Sequence, residues 1–236
     1  VGTSVFFAPH NEDNVGVLDT ITSTFSTIDT AAAGVTTSGK YRGAAAVGTS
    51  VFFAPHNEDN VGVLDTITST FSTIDTDITF GGSNYWGAAA VGTSVFFAPN
   101  HVGNVGVLDT TTSSFSKIDA TGVTTTDMYR GAVAVGTSVF FVPYNENNVG
   151  VLDTTTSTFT SIGTTAAGVT ANAKYWGAAA VGTKIFFAPQ FQDDVGVLDT
   201  TTSTFSTLSV GSLTADFKYG GAAAVGTSVF FAPNNE

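Results

Sequence analysis

Val1-Gly2-Thr3-Ser4-Val5-Phe6-Phe7-Ala8-Pro9 opens the chain, and the same string returns, complete or lightly edited, at Val47, Val91, Val135, Val181 and Val225. The spacings are 46, 44, 44, 46 and 44 residues. Residues 1–30 and 47–76 are one thirty-residue string written twice. Five periods fill nearly all of the 236 residues, and a partial sixth copy starts at Val225. A unit of this length cannot bury its own apolar faces, so successive copies must pack on one another.

One period, Tyr41 to Thr76, shows how. Gly43-Ala44-Ala45-Ala46-Val47 is a run of small residues ending at Gly48-Thr49, a turn signal. Val51-Phe52-Phe53-Ala54 is apolar without alternation and stops at Pro55, which suggests a strand buried on both faces. Val61-Gly62-Val63-Leu64 runs into Asp65-Thr66, whose side chains can start a turn. Ser69 to Ile74 alternates polar with apolar, as an outer strand with one solvated face does. Four strands per period and no helix predict an all-β chain: a five-bladed β-propeller of four-stranded antiparallel blades, one domain across residues 1–236. The alanines belong on the innermost strands, where only small side chains let backbones converge, and the paired phenylalanines fill the widening wedge outside them.

The order Arg42-Gly43-Ala44-Ala45-Ala46-Val47, Val51-Phe52-Phe53, Val61-Gly62-Val63-Leu64-Asp65-Thr66 and Phe71 resembles the kelch repeat, over all five periods. It departs from kelch where Ala54-Pro55 replaces a double glycine and where Phe71 stands for tryptophan. The chain is thus similar to a divergent kelch-like type, of the sort found as tandem propeller repeats in unicellular algae. The resemblance implies the propeller fold, and no kelch function is carried over with it.

The Val-Phe-Phe strand occurs six times where five blades need five. Three readings stay open: an idle copy, a closing blade built with strands from both termini, or a strand that joins one ring to the next. In each case the closing blade is expected to mix both ends of the chain.

Composition narrows the function. The formal net charge is -12 and only seven residues are Lys or Arg, scattered singly. That disfavours nucleic acid and anionic membrane surfaces as partners. There is no cysteine, so no disulfide or thiolate metal site exists. No apolar run approaches the length of a membrane-spanning helix, and no Asn-x-Ser/Thr sequon occurs, while abundant Thr and Ser leave O-glycosylation open. The chain starts at Val1 and its one methionine is Met128, as in a processed product or a piece of something longer.

Chemistry has few places to sit. Asp19, Asp65, Asp109, Asp153 and Asp199 all open the same turn, which reads as turn capping rather than catalysis. The acidic loops, such as Glu58-Asp59-Asn60, lack the spaced ligands of a calcium loop and read as solvated charge. His10, His56 and His101 lie near equivalent loop positions in three repeats only, too few for a shared zinc site. Loops on one face vary between repeats: His10-Asn11-Glu12-Asp13, His56-Asn57-Glu58-Asp59, Asn100-His101-Val102-Gly103, Tyr144-Asn145-Glu146-Asn147 and Gln190-Phe191-Gln192-Asp193. Any ligand is expected there.

Tyrosine starts every inner strand, and the pairs are Tyr41-Arg42, Tyr85-Trp86, Tyr129-Arg130 and Tyr175-Trp176, with Tyr219 followed by Gly220. These residues read either as an aromatic and cationic rim able to stack on sugar rings, or as tyrosines packed beneath the loops with their hydroxyls on backbone. Catalysis needs one asymmetric constellation of distinct roles. Nearly the same sentence five times offers equal sites instead. The expectation is a non-enzymatic structural module without cofactor or metal, at the cell surface or outside the cell, with copies of itself or neighbouring propeller units as partners. A lectin-like propeller that binds glycans is the alternative.

Overall fold

The computed structural model of the chain describes residues 1–78, 82–123, 126–211 and 215–234. Parts of three variable loops leading to inner strands lie outside them. The described residues are all-β except for two 3-10 turns, Ala31–Ala33 and Thr165–Ala167, which the sequence reading did not foresee.

The first sheet holds β1 (Ser4–Phe7), β2 (Asn14–Asp19) and β3 (Thr24–Asp29). Four sheets of four strands follow. They are β4 (Tyr41–Val47), β5 (Ser50–Pro55), β6 (Asn60–Asp65) and β7 (Thr70–Asp75); then β8 (Tyr85–Val91), β9 (Ser94–Pro99), β10 (Asn104–Asp109) and β11 (Ser114–Asp119). Next come β12 (Tyr129–Val135), β13 (Ser138–Pro143), β14 (Asn148–Asp153) and β15 (Thr158–Gly163), and then β16 (Tyr175–Val181), β17 (Lys184–Pro189), β18 (Asp194–Asp199) and β19 (Thr204–Ser209). A last pair, β20 (Tyr219–Val225) and β21 (Ser228–Pro233), forms a two-stranded sheet. Strands neighbour each other in sequence order, in antiparallel ladders. The three-stranded and two-stranded sheets carry between them the parts of one blade, which fits closure by strands from both termini.

The turns follow from their residues. Val47 pairs with Ser50 across Gly48-Thr49, and Gly48 has φ +59°, as a two-residue II′ hairpin requires. At the opposite hairpin Asp65 accepts hydrogen bonds from the amides of Ile67 and Thr68 at 2.8 and 3.1 Å. Asp19, Asp109 and Asp153 do the same, and Asp199 accepts from Thr201. At Asp19 and Asp65 these amide bonds, and at Asp109, Asp153 and Asp199 the hydroxyls of Thr111, Thr155 and Thr201 followed by the amides, hold the carboxylates below their ordinary pKa. Turn capping accounts for all five.

By contact the chain divides into two compact units, Val1–Phe97 with Val105–Lys117, and Ala98–Asn104 with Ile118–Glu236. In the first, the core packs Val15, Tyr41, Val51, Phe53 and Leu64 against Phe6, Ile28 and Phe71. In the second, Phe140, Val142 and Val149 pack on Tyr175, Ile185, Phe187 and Leu198. In β5, residues Val51 to Pro55 are buried throughout, as they are in the equivalent strands β9 and β13. Each such phenylalanine contributes roughly 1.5–3 kcal/mol by leaving water. The first sheet differs: without a Tyr-bearing strand over it, Phe7 is 48% and Phe25 64% exposed, whereas Phe53, Phe97, Phe141 and Phe187 are fully buried.

Candidate functional site

The inner strands begin with a β-bulge. Tyr41 pairs with Pro55 and Ala44 with Phe53, so Arg42-Gly43 hold one residue more than the strand opposite. β12, β16 and β20 repeat the irregularity. Bulges redirect side chains at strand ends, and here the bulge follows the tyrosine at every position where the ladder is described.

The four tyrosines Tyr41, Tyr85, Tyr129 and Tyr175 have no exposed surface. Each lies between two phenylalanines of its own sheet, Tyr41 at 6.0 Å from Phe53 and 6.1 Å from Phe71, Tyr129 at 6.0 Å from Phe141 and 6.5 Å from Phe159. The hydroxyls of Tyr41 and Tyr129 donate to the side-chain oxygens of Asn60 and Asn148, both at 2.5 Å, rather than to backbone. In the fifth repeat Asp194 replaces that asparagine, and the buried Tyr175 hydroxyl is left without a hydrogen-bond partner. Tyr219 is half-buried, 5.6 Å from Phe231.

The residues after the tyrosines form two clusters. In the first unit the Arg42 guanidinium lies over the Trp86 ring at 3.9 Å, and His56 meets Trp86 edge-on at 5.1 Å. His10 stands 6.0 Å from His56. Burial and the Arg42 charge push the His10 imidazole below its ordinary pKa, so it is neutral at pH 7. In the second unit Arg130 sits 3.5 Å over the Tyr144 ring and 5.2 Å from Trp176. Asp127 holds the same guanidinium at 3.0 Å and meets His101 at 3.4 Å. Burial opposes ionisation of Asp127, but the bond and charge of Arg130 and the contact with His101 keep its carboxyl below its ordinary pKa. Trp86 and Tyr144 are buried, 7% and 9% exposed, so each spends its aromatic face on the arginine above it, while Trp176 is half-buried.

Two features escaped the sequence reading. Three of the seven basic residues, Lys40, Lys174 and Lys218, occupy one position immediately before a tyrosine and are fully buried. The Lys174 ammonium donates to the carbonyls of Asn145 and Glu146 at 3.1 and 2.9 Å, and Lys40 pairs with Asp13 at 2.8 Å. The recurring Lys-Tyr dipeptide was the available signal. The second is a correction: Glu58 and Glu146 are buried, not solvated. Glu58 accepts from the Thr37 hydroxyl and Glu146 from Asn148, so these carboxylates brace the loops from inside.

An alkaline pH dependence follows. Burial pushes Lys174 down to about 8, against the pull of Glu146. Between about pH 8 and 10 the unfolded chain then binds more protons than the folded one, and stability rises with pH. Burial pushes Tyr41, Tyr85, Tyr129 and Tyr175 up. The folded chain keeps phenol protons that the unfolded chain releases above about pH 10, so stability falls there. The urea midpoint should climb between about pH 7.5 and 9.5 and drop near pH 11. Lys174→Gln should flatten the climb, and phenolate absorbance should appear together with loss of β-sheet circular dichroism. Phenolate forming in a folded chain would contradict the burial of these rings.

No family profile matches the chain, and no curated protein matches it. Solved structures do. A crystal structure of a nidogen/laminin complex aligns at TM-score 0.65 and 12% identity, over 89% of this chain and 76% of that one. The extracellular domain of a putative one-component system from B. thetaiotaomicron aligns at TM-score 0.69 and 9% identity, over 98% of this chain and 30% of that one. Among the described residues no helix is long and apolar enough to cross a membrane. At such low identity the likeness shows the fold alone, and with the sheets described above that fold is a β-propeller of four-stranded antiparallel blades.

Proposed function

We propose that the chain is a non-enzymatic structural module, a single five-bladed propeller of divergent kelch-like type that serves as one bead of an extracellular filament, coat or appendage. Its partners are copies of itself or neighbouring propeller units, joined in tandem or end to end. The observation that carries this reading is that the repeat consumes its own polar groups. Aspartates cap turns, tyrosines and their asparagines bond inside the sheets, and lysines tie down loops. What the repeat presents outward is Thr- and Ser-rich and nearly the same five times. The two structural neighbours, one an extracellular domain and one a complex of two proteins, support an extracellular, partner-binding setting.

The joint in this reading is the exposed edge of the first sheet. Val225–Pro233 repeats Val1–Pro9 residue for residue, so β21 can take the place of β1 beside β2 with identical contacts and bring β20 with it. In the chain Val17 pairs with Phe6 and Phe230 with Ala223. After exchange Phe230 faces Val17. Because the protein has no cysteine, a Val17→Cys, Phe230→Cys variant reports this contact alone. Oxidation should give a ladder of linked chains on a denaturing gel, and electron microscopy should show end-to-end rows. A monomer with an internal disulfide would mean that the ring shuts on itself. Dispersed monomers at high concentration with no disulfide would remove the filament reading.

A second reading, a lectin-like propeller, rests on the rim residues Tyr41, Arg42, Tyr85, Trp86, Tyr129, Arg130, Tyr175, Trp176 and Tyr219. The four buried tyrosines serve in it as supports and the buried Trp86 as the seat of Arg42, while the half-buried Arg42, Arg130 and Trp176 supply the contact surface. The fifth repeat favours this reading by a feature that, among the described residues, no other repeat has.

A further inference from the structure

We infer that the loops of the fifth repeat, at Gln190-Phe191 and Phe217 to Gly220, form a binding site for a neutral pyranose sugar. The inference rests on the lectin-like reading and builds its site from residues other than the arginines and tryptophans.

The residue two before each inner-strand tyrosine lies in the left-handed region in all five repeats: Gly39 at φ +74°, Ser83 at +49°, Asp127 at +53°, Ala173 at +55° and Phe217 at +60°. Four are small or polar, as that conformation favours. The fifth is a phenylalanine, a bulky side chain that the left-handed region disfavours. Phe217 is 43% exposed, and its ring stands 4.5 Å from that of Phe191 at 66°. Phe191 is itself out of pattern, because the equivalent residues are Asn11, Asn57, His101 and Asn145. Asn57 and Asn145 tie their loops by donating to the carbonyls of Ser38 and Thr126 at 3.2 and 2.8 Å. The fifth repeat replaces that polar tie with an open aromatic pair.

Two neighbours complete the site. Where Arg42, Trp86, Arg130 and Trp176 stand in the other repeats, the fifth has Gly220, exposed and without a side chain. Gln190 receives the Lys218 amide on its carbonyl at 3.2 Å, which sets it beside the segment leading to Gly220. Its side chain is fully buried, and neither its amide oxygen nor its amide nitrogen has a hydrogen-bond partner. An amide with an unused donor and an unused acceptor fits two adjacent hydroxyls, and an aromatic ring fits the C–H face of the same sugar. The ligand is neutral because Lys218 is buried and held by Asp193 at 3.3 Å, so this cation is not offered to an acidic sugar.

The full chain is titrated with the methyl pyranosides of glucose, galactose, mannose and N-acetylglucosamine, by calorimetry and by saturation-transfer NMR. At least one should bind. Phe217→Gly relaxes the backbone, so its thermal midpoint should hold or rise while affinity falls about tenfold or more. Phe191→Asn, which restores the residue of the other repeats, and Gln190→Leu should each weaken binding several-fold without unfolding. Sugar binding that survives Phe217→Gly would put the site elsewhere and leave the lectin-like reading standing. No binding by any of the four sugars would remove both. If a lysine-rich peptide binds instead, and salt abolishes it, the aromatic pair docks a basic protein segment and the sugar proposal falls.

Discussion

Tyr129→Ala should destabilise the protein by about 3–5 kcal/mol. The ring is fully buried against Phe141 and Phe159, and it closes over Gly150, where an added Cβ would meet Phe159 at 2.9 Å and Tyr129 at 3.0 Å. Glycine in the Val-Gly-Val-Leu strand is therefore the floor of a socket that only this arrangement fills. Removing the ring leaves a cavity lined by two phenylalanines that their own sheet holds in place, so little collapse can offset the loss. It also strips Asn148 of its donor. Tyr129→Phe keeps the ring and should cost only about 1–3 kcal/mol, the share of the hydroxyl. Urea unfolding of the two variants measures both. A loss below about 1 kcal/mol for Tyr129→Ala would mean that the rings do not hold the sheet together.

Gly43→Val should be comparably damaging for a different reason. A Cβ at Gly43 would lie 2.8 Å from the Cα of Gly87 and 2.8 Å from the carbonyl oxygen of Trp86. Both are backbone atoms of the next inner strand, so no side chain can swing away. Overpacking of this kind costs typically about 1–3 kcal/mol and more where the backbone must shift. The second unit repeats the constraint, since a Cβ at Gly177 would lie 2.8 Å from the Cα of Gly221. Gly163→Ala is the control: it lies at the end of an outer strand with nothing within 4 Å of the added carbon, and should change stability by less than about 0.5 kcal/mol. Equal tolerance of the two substitutions would show that the inner strands are not in backbone contact.

Much of the architecture was readable because each strand and turn is encoded within a few residues of itself. Val51-Phe52-Phe53-Ala54-Pro55 is buried along its length, as its lack of alternation implies, and Asp65 caps the turn that it opens. The tyrosine rings lie between phenylalanines of their own sheets, and the hydroxyls of Tyr41 and Tyr129 go to asparagine side chains rather than to backbone. The buried lysines were not foreseen, and the buried glutamates were expected in solvent. Lys174 finds its carbonyls 28 and 29 residues upstream, and Glu58 finds Thr37 across 21 residues. The chain spacing between such partners carries no signal about whether they meet.

The amino-acid sequence alone determined the period, the four strands of each repeat, the turn chemistry and the absence of a basic or thiol chemistry, since all of these are local or compositional. Tertiary structure decided which charges are buried, which arginine stacks on which tryptophan, and that Phe217 stands in a left-handed position. Those outcomes depend on how one sheet packs against the next. That packing is set by the summed shape of many side chains and not by any short stretch of the chain.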